Sequence, residues 1–467
     1  MDLIGKTVTT LSGTRYLLSE MVGRGSQGIV YRDSSGGYVI KIYFYKGDNQ
    51  AKNQIVKLKW LLQQNLPERF VFPMEIIEKP YIGYVMRRVK GHFPLNKLLI
   101  KPKGMGFLEW YNEYSGGLRR RLLLGYQIAQ SFGMLHKQSL AYCDISGANI
   151  LVAEDKSTVS VVMVDCDNLY LSGTGSPDVL GTEEYTAPEV ATHQMWPGVV
   201  TDQYSLAVIL FELLRIDHPY VGDKIWEDTP EKEKEAWLGV FPYIDDENNP
   251  SNKSSGPLSA NLVFTTQLMT LFKKTFIQSK NNRMLRPGTS EFARACLEAS
   301  NLLVKCEYCK AWYYHRTNIV ACPWCHGNIQ NQKPMYLSFR DRMEIGEKDG
   351  KKNPQTLDLH SYYILRESPN DITSNYILRD TSVDETFFKL YCRVEFVKDT
   401  KKYRLINPSN NSIVYKIFRT QETRTLTSDS PPQELERSDE IYFGDPSTFI
   451  DNNTGSRSRI LRSAVVK

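Results

Sequence analysis

One short stretch of the sequence combines residue types that could act on a hydroxyl group. Asp144 stands five residues before Asn149, and the apolar run Ile150-Leu151-Val152 follows directly. A second apolar run, residues 159–164, ends in Asp165. Asp144 could accept the proton of a substrate hydroxyl, while the neutral oxygen of Asn149 and the charged Asp165 could bind a metal ion. The D-x-x-x-x-N spacing is common, so its meaning depends on the elements that position it.

A glycine-rich segment upstream could cover the phosphates of a nucleotide. Residues 16–22 predict a strand, and Gly23-Arg24-Gly25-Ser26-Gln27-Gly28-Ile29-Val30 follows it. Glycines let the backbone turn tightly and approach phosphate oxygens without a Cβ in the way. Because residues 29–33 return as a strand and not as a helix, the pattern favours a flap over a nucleotide and argues against a dinucleotide fold. A plain hairpin turn is the alternative interpretation.

Lys41 stands among apolar residues in the next predicted strand, residues 38–43. It could pair with nucleotide phosphates, or it could lie on the exposed face of an edge strand. Residues 49–65 predict a helix with an apolar stripe, but this helix contains no glutamate to pair with the lysine. We therefore consider Gln54 or Asn53 as substitutes that would act by hydrogen bonding.

The order and approximate spacing of these motifs resemble the protein-kinase family. Further segments extend the resemblance over residues 16 to about 298, and it implies an α+β, bilobal kinase-like fold. Gly181-Thr182-Glu183-Glu184-Tyr185-Thr186-Ala187-Pro188-Glu189 resembles the family's G-T-x-x-Y-x-A-P-E segment. Asp202, which opens an apolar helix, resembles the acid that braces the catalytic loop. Arg286 resembles the arginine that pairs with the A-P-E glutamate, here Glu189.

The resemblance implies an ATP-dependent protein kinase, Ser/Thr-specific and of a bacterial type. Lys41 would position the α- and β-phosphates, and Asp144 would orient the substrate hydroxyl and accept its proton. Asn149 and Asp165 would hold Mg²⁺. The remaining ATP contacts implied by the resemblance are those of the glycine flap and of the hinge that holds the adenine: Gly23, Gly25, Gly28, Val30, Met86, Arg87 and Val89.

Several positions depart from the family pattern. The family's H-R-D is Tyr142-Cys143-Asp144 here, so the arginine that usually meets an activation-loop phosphate is absent. The D-F-G is Asp165-Cys166-Asp167, and Ser146 replaces the catalytic-loop lysine. The D-x-D and the Gly147-Ala148-Asn149 triplet are similar to divergent bacterial kinases. The missing helix glutamate and loop arginine leave a pseudokinase scaffold as the alternative.

Four cysteines predict a structural zinc site. Cys306, Cys309, Cys322 and Cys325 form a C-x₂-C-x₁₂-C-x₂-C pattern, and two such pairs can close a tetrahedron around Zn²⁺. Four thiolates leave no open position, so the metal would be structural. Residues 303–330 resemble a zinc ribbon, which could bind nucleic acid or protein. An adaptor that works through this ribbon and the following domain is a further alternative.

Residues 335–455 contain a series of short strand-like segments between turns rich in Asn, Asp, Gly and Ser, which predicts a small all-β sandwich. This stretch loosely resembles a forkhead-associated (FHA) domain, with Leu378-Arg379 in place of the family's G-R and Cys392-Arg393-Val394-Glu395 in place of its S-R-x-H. That resemblance implies binding to a phosphothreonine-containing protein. Arg379 could take the phosphate, although a surface arginine in a loop is the more ordinary interpretation. We expect residues 456–467 to form a solvated basic tail.

The composition bounds these hypotheses. A chain of 467 residues suggests two to four domains, which we place at 1–300 (kinase-like), 303–330, 335–455 and 456–467. The net charge of +5 is too small over this length to favour a nucleic-acid partner. The sequence shows neither a signal-peptide pattern nor an apolar run long enough to cross a membrane. With eight cysteines, four of them paired in one motif, we expect a cytoplasmic protein with no membrane partner and an unidentified protein substrate.

Overall fold

The computed structural model describes residues 3–45, 47–77, 80–174, 181–226, 229–316, 318–348, 351–377, 389–447, 449–451 and 460–467. The chain divides into two compact units, Met1–Cys296 and Leu297–Lys467. No helix within the described ranges is both long and apolar enough to cross a bilayer.

The first unit mixes strands and helices, as the sequence predicted. Its strands are β1 (Thr7–Thr9), β2 (Arg15–Arg24), β3 (Gly28–Asp33), β4 (Tyr38–Tyr43), β5 (Glu75–Ile76), β6 (Gly83–Arg87), β7 (His92–Pro94), β8 (Leu140–Ala141), β9 (Ile150–Ala153), β10 (Val161–Met163) and β11 (Tyr170–Leu171). The α-helices are α1 (Asp48–Leu61), α2 (Gly117–Lys137), α3 (Pro188–Ala191), α4 (Val199–Arg215), α5 (Asp223–Trp226), α6 (Pro230–Trp237), α7 (Ala260–Val263), α8 (Thr266–Phe276) and α9 (Thr289–Asn301), whose last five residues belong to the second unit.

The N-terminal part of this unit is an antiparallel sheet in the order β1-β2-β3-β4-β6-β5. Successive side chains of a strand point to opposite faces, and one face of this sheet buries an apolar cluster that includes Ile29, Tyr31, Ile40 and Ile42. Lys41 therefore points to the other face. β4 is a central strand, so the edge-strand interpretation of Lys41 is wrong.

Helices α2 and α4 form the apolar centre of the rest of the unit. Nearly every residue of α4 is buried, as expected for a helix that is hydrophobic on all sides. Between α2 and β9, the loop of residues 142–149 carries Asp144 and Asn149, and β9 pairs with β10, which leads to Asp165. The two apolar runs noted in the sequence thus form a hairpin that places the three polar residues near one another.

The second unit is mainly β-structure. Its strands are β12 (Leu303–Lys305), β13 (Trp312–Tyr314), β14 (Tyr336–Lys348), β15 (Lys351–Ile364), β16 (Asn370–Thr373), β17 (Leu390–Val397), β18 (Lys402–Ile406), β19 (Ile413–Lys416), β20 (Thr423–Leu426), β21 (Gln433–Glu434), β22 (Glu440–Tyr442), β23 (Gly444–Asp445), β24 (Ile450–Asp451) and β25 (Ile460–Val466). A sheet of order β15-β14-β25-β22-β19-β20 and a sheet of order β16-β17-β18-β21 contribute side chains to one apolar core.

The expectation of a solvated tail is wrong for residues 460–466. These residues form β25, which lies between β14 and β22 in the six-stranded sheet. Leu461 and Val466 are buried in it. The basic residue Arg462, which suggested a tail, donates a hydrogen bond of 2.7 Å to Asp341 of β14, so its charge is compensated inside the unit. Arg457 and Arg459, which also suggested the tail, lie outside the described residues.

Candidate active site

Lys41 lies at the centre of a row of side chains across the N-terminal sheet. In the strand register it stands opposite Val30 on one side and Tyr84 on the other. Directly opposite residues of antiparallel strands point to the same face. Met86, opposite Val39, occupies the next row of this face. The structure therefore brings Val30, Lys41 and Met86 to one face of the sheet, where the resemblance expects nucleotide.

Lys41 is only 4% exposed, and its Nζ forms ion pairs with two carboxylates. It lies 2.9 Å from Asp167 Oδ2 and 3.4 Å from Asp165 Oδ1, and it also donates to Gln27 Oε1 at 3.3 Å. Burial alone would lower the pKa of Lys41, but the charges of Asp167 and then Asp165 raise it. Lys41 is therefore a charged, oriented ammonium group in the site.

The sequence interpretation missed the partner of this lysine. Neither Gln54 nor Asn53 of α1 takes up the Lys41 ammonium; Asp167 does, from a position 126 residues away along the chain. The second acid of the D-x-D motif was the available signal. Burial would raise the pKa of Asp167, but Lys41 and the Tyr43 hydroxyl hold that pKa below its usual value.

Two donors orient the Asp144 carboxylate. Thr182 Oγ1 donates to Oδ1 at 2.8 Å, and Asn149 Nδ2 donates to Oδ2 at 3.2 Å and to the Asp144 carbonyl at 2.9 Å. The amide nitrogen of Asn149 is thereby engaged, which leaves its oxygen available to a metal ion. The role of Thr182 was not foreseen, although it stands in the G-T-x-x-Y segment. Asp144 is partly exposed, so a substrate hydroxyl could reach it.

Helix α4 holds the loop of residues 142–149 in place. The Asp202 carboxylate accepts hydrogen bonds from the backbone amides of Tyr142, at 2.6 Å, and Cys143, at 3.2 Å. His136 lies 3.2 Å from the same carboxylate. Cys143 has φ +66°, a left-handed conformation that is costly for a residue with a side chain and is found where surrounding contacts enforce it. The bracing role expected for Asp202 is confirmed.

A close approach of backbones joins this loop to the segment that follows the D-x-D. A Cβ added to Gly181 would lie 2.8 Å from the Cys143 carbonyl oxygen and 2.9 Å from Thr186 Oγ1. Gly181 also has φ +108°, which favours glycine. The glycine thus brings the neighbouring Thr182 within reach of Asp144.

Asp165 has the environment of a cation ligand. It takes up a left-handed conformation, φ +54°, and its side chain remains 36% exposed. Burial raises its pKa; Lys41 opposes this, and the negative charges of Asp167 and Asp144 raise it further. The negatively charged carboxylates of Asp144, Asp165 and Asp167, together with the amide oxygen of Asn149, are the ligand types that suit Mg²⁺. The residues present therefore fit the metal that the resemblance implies.

The glycines of the flap are not equivalent. A Cβ on Gly23 or Gly25 would meet nothing within 4 Å, whereas a Cβ on Gly28 would lie 2.2 Å from the Ile42 carbonyl oxygen. Gly28 is the first residue of β3, and only a glycine fits where β3 pairs with β4 at this position. The space around Gly23 and Gly25 would thus allow their backbone to approach phosphates, as expected. Gly28, in contrast, must be glycine because of the neighbouring strand. Gln27 reaches into the site and donates to Asn168 at 3.1 Å.

The expected adenine hinge follows β6. Met86 is buried, while Arg87 and Val89 are partly exposed. The Arg87 guanidinium donates to the carbonyl of Glu68, so that side chain is engaged with the backbone.

A buried ion pair holds the end of the G-T-x-x-Y-x-A-P-E segment. Arg286 donates to both oxygens of Glu189, at 2.6 and 3.0 Å, and both residues are nearly inaccessible. Its guanidinium also lies 5.1 Å from the ring centroid of Tyr204. The pairing expected from the sequence is confirmed.

The cysteine motif of the second unit closes into one cluster. All four Sγ atoms lie within 4.8 Å of one another, and the Cys306–Cys325 and Cys309–Cys322 pairs are each 3.8 Å apart. A tetrahedral zinc site with Zn–S distances of about 2.3 Å has sulfur–sulfur edges of about 3.8 Å. The four thiols are free of disulfides. Their spacing therefore fits a four-thiolate zinc site.

The residues that resemble an FHA site are less suited to bind a phosphate than the sequence suggested. Arg393 donates to both oxygens of Asp371, at 2.6 and 3.2 Å, on the surface. Cys392 is fully buried in the sandwich core. Arg379 lies outside the described residues.

Comparison with known proteins agrees with this geometry. Residues 16–294, more than half of the chain, match the family model described as protein kinase domain. A Caenorhabditis elegans protein named as a candidate serine/threonine-protein kinase is 24% identical over 222 residues, 46% of this chain and 48% of the relative. A Clostridium perfringens protein of similar description is 26% identical over 231 residues, 47% of this chain and 31% of the relative.

A serine/threonine-protein kinase of Arabidopsis thaliana is 28% identical over 213 residues, which are 44% of this chain and 24% of the relative. The chain thus spans half or less of the length of these three curated relatives.

Proposed function

Because the chain belongs to the protein kinase family, we propose that it transfers the γ-phosphate of ATP to serine or threonine hydroxyls of a protein substrate. The observation that carries the proposal is the oriented carboxylate of Asp144, held by Thr182 and Asn149 beside the acids and the lysine of the site. The choice of serine and threonine is supported by the names of the relatives.

The residues of the chain divide the work between positioning and proton transfer. ATP with Mg²⁺ supplies the phosphoryl group and neutralises its developing charge. Lys41 would hold phosphate oxygens, and Asn149 and Asp165 would hold the metal. Asp144 would accept the proton of the attacking hydroxyl on a carboxylate oxygen. Gly23 and Gly25, with no Cβ, would let the flap backbone approach the phosphates.

The test is transfer of labelled phosphate by the full chain to a generic protein substrate, with mass spectrometry to identify the modified residues. We expect phosphoserine or phosphothreonine. Asp144→Asn, which keeps the shape of the side chain, should lower the initial rate by at least about 100-fold, because general-base catalysis typically contributes that much or more. The exposed Glu154→Gln should serve as the matched control with unchanged activity.

Equal rates for Asp144→Asn and the wild type would refute the assignment of Asp144. A wild-type protein that binds ATP with Mg²⁺ but transfers no phosphate would instead favour the pseudokinase alternative.

We further propose that the four-cysteine cluster holds one structural Zn²⁺ per chain. Metal analysis of protein purified without chelator should find about one zinc per chain. Cys309→Ser should lose it, whereas Cys392→Ala, which removes a buried thiol elsewhere, should retain it. Stoichiometric zinc in Cys309→Ser, or none in the wild type, would overturn the proposal.

The two-sheet sandwich supports an accessory binding module, and we propose a phosphothreonine-containing protein as its partner. Since Arg393 is paired with Asp371, the hypothesis depends on Arg379. A degenerate library of phosphothreonine peptides should bind the full chain, and the same library with unmodified threonine should not. Equal binding by Arg379→Ala would contradict the assignment of that residue.

A further inference from the structure

Lys41 has acidic partners, and neither comes from helix α1. We propose that Asp167 is the positioning residue that holds Lys41 for the phosphates, and that the turn Asp165–Asp167 replaces the helix as the element that sets the lysine. The inference rests on the proposed function, because the position of Lys41 matters only if nucleotide phosphates bind there.

Asp167 is fixed by strand β4 itself. Its Oδ2 accepts from Lys41 Nζ at 2.9 Å and from the hydroxyl of Tyr43, two residues further along the same face of the strand. Asp167 is only 1% exposed. Between the two acids, Cys166 is fully buried and its Sγ donates to the Met163 carbonyl at 3.5 Å. The turn is thus anchored at three successive residues.

Helix α1 supplies no acid at the corresponding place. Its sequence, DNQAKNQIVKLKWL, has Asp48 in the first turn as its only carboxylate. Gln54 is the side chain that comes close: burial and Asp167 raise the pKa of Tyr43, and a hydrogen bond from Gln54 opposes this rise. The uncharged amide of Gln54 therefore lies next to the Tyr43 hydroxyl, which already donates to Asp167.

This arrangement changes which structural element controls the position of Lys41. In protein kinases generally, the equivalent lysine pairs with a glutamate of the helix, and the position of the helix controls the pair. Here the partner of Lys41 lies two residues after the proposed Mg²⁺ ligand Asp165. A displacement of α1 would leave the ion pair intact, whereas a displacement of the turn would disturb the lysine and the metal ligand together.

The first experiment neutralises the acid without changing its shape. In the full chain, Asp167→Asn should lower kcat/KM for ATP by at least tenfold. The reason is that the carboxylate nearest to the Lys41 ammonium, at 2.9 Å, loses its charge, so the lysine is less firmly held for the phosphates.

The second experiment places a carboxylate on helix α1 to replace the charge removed at Asp167. Asp167→Asn combined with Gln54→Glu should recover at least a third of the lost activity, because Gln54 already reaches the Tyr43 hydroxyl. Asp167→Asn combined with Asn53→Glu is the matched control: Asn53 is the preceding residue and is exposed, so the same charge should rescue nothing. If Asp167→Asn fails to fold, Asp167→Ala with Gln54→Glu applies the same test to a smaller side chain.

The outcomes separate the inference from the proposed function. Asp167→Asn with kcat/KM within threefold of the wild type would overturn the inference, as would equal rescue by Gln54→Glu and Asn53→Glu. A wild-type protein that transfers no phosphate would refute the proposed function. The inference would then be decided by calorimetric binding of ATP with Mg²⁺, which Asp167→Asn should weaken at least tenfold and which Gln54→Glu should restore.

Discussion

Removing the hydrogen bond from Thr182 to Asp144 would test directly what orients the Asp144 carboxylate. Thr182→Val replaces the hydroxyl with a methyl group of nearly the same size, so the shape of the segment is retained. The variant loses the 2.8 Å donor to Oδ1, while the 3.2 Å donor from Asn149 to Oδ2 remains. The carboxylate should then be free to rotate away from the position at which it meets the substrate hydroxyl.

The magnitude follows from the charge and exposure of the pair. A hydrogen bond to a charged group contributes about 1.5–3 kcal/mol. Asp144 is partly exposed, so water can replace part of the lost bond, and the lower end applies. A loss of about 1.5 kcal/mol in transition-state stabilisation corresponds to roughly a tenfold fall in kcat.

The assay is the initial rate of phosphate transfer over a range of ATP concentrations. Thr182→Val should lower kcat about tenfold with little change in KM for ATP, because Thr182 contacts the base and not the lysine that we assign to the phosphates. Thr182→Ser retains the hydroxyl and should keep at least half of the wild-type kcat. A Thr182→Val enzyme with kcat within twofold of the wild type would show that Asn149 alone orients the base, and would refute this reasoning.

Two further predictions concern the flap and the buried ion pair. Gly28→Ala should destabilise the first unit by about 1–3 kcal/mol, because its Cβ would overlap the Ile42 carbonyl, whereas Gly25→Ala should leave the melting temperature unchanged; equal effects would contradict the packing role. Glu189→Gln should cost about 3–5 kcal/mol in unfolding free energy at pH 7, because it leaves Arg286 buried without its partner. Arg286 outweighs burial and holds the pKa of Glu189 below its usual value. The stability contributed by ionised Glu189 is therefore fully present above the usual pKa of a glutamate and is lost as pH falls through the lowered pKa. Denaturant titrations should therefore show the difference between wild type and Glu189→Gln shrinking below about pH 4; a constant difference would argue against the ionised pair.

The parts of the site that could be predicted from sequence are those defined by short spacing. Asp144 and Asn149 are five residues apart in one loop, and the following hairpin carries Asp165 to the same place. Contacts between distant segments could not be predicted in this way. Asp167 meets Lys41 across 126 residues, and Thr182 meets Asp144 across 38. Spacing alone does not determine which of two acids in a D-x-D motif turns towards the sheet.

The same distinction between local sequence pattern and distant contacts applies to the strands. The strand at residues 38–43 was predicted with its observed bounds, because its apolar residues continue on both sides of Lys41. The strand at residues 460–466 was missed, because two of the four basic residues that suggested a tail fall in or beside it. The charge of Arg462 is compensated by Asp341, 121 residues earlier, and that partner can be recognised only in the folded sheet.

The position of β25 has a consequence for how the protein is made. β14, the first long strand of the sandwich, pairs over residues 337–343 with β25, which also pairs with β22. During synthesis, β14 must therefore leave the ribosome more than a hundred residues before the strand that fills its second edge. Until residue 466 has emerged, β14 and β22 each present an unpaired edge that could associate with other chains. Shortening the chain by the last eight residues would make that exposure permanent, so we expect such a truncated protein to accumulate in the insoluble fraction during expression.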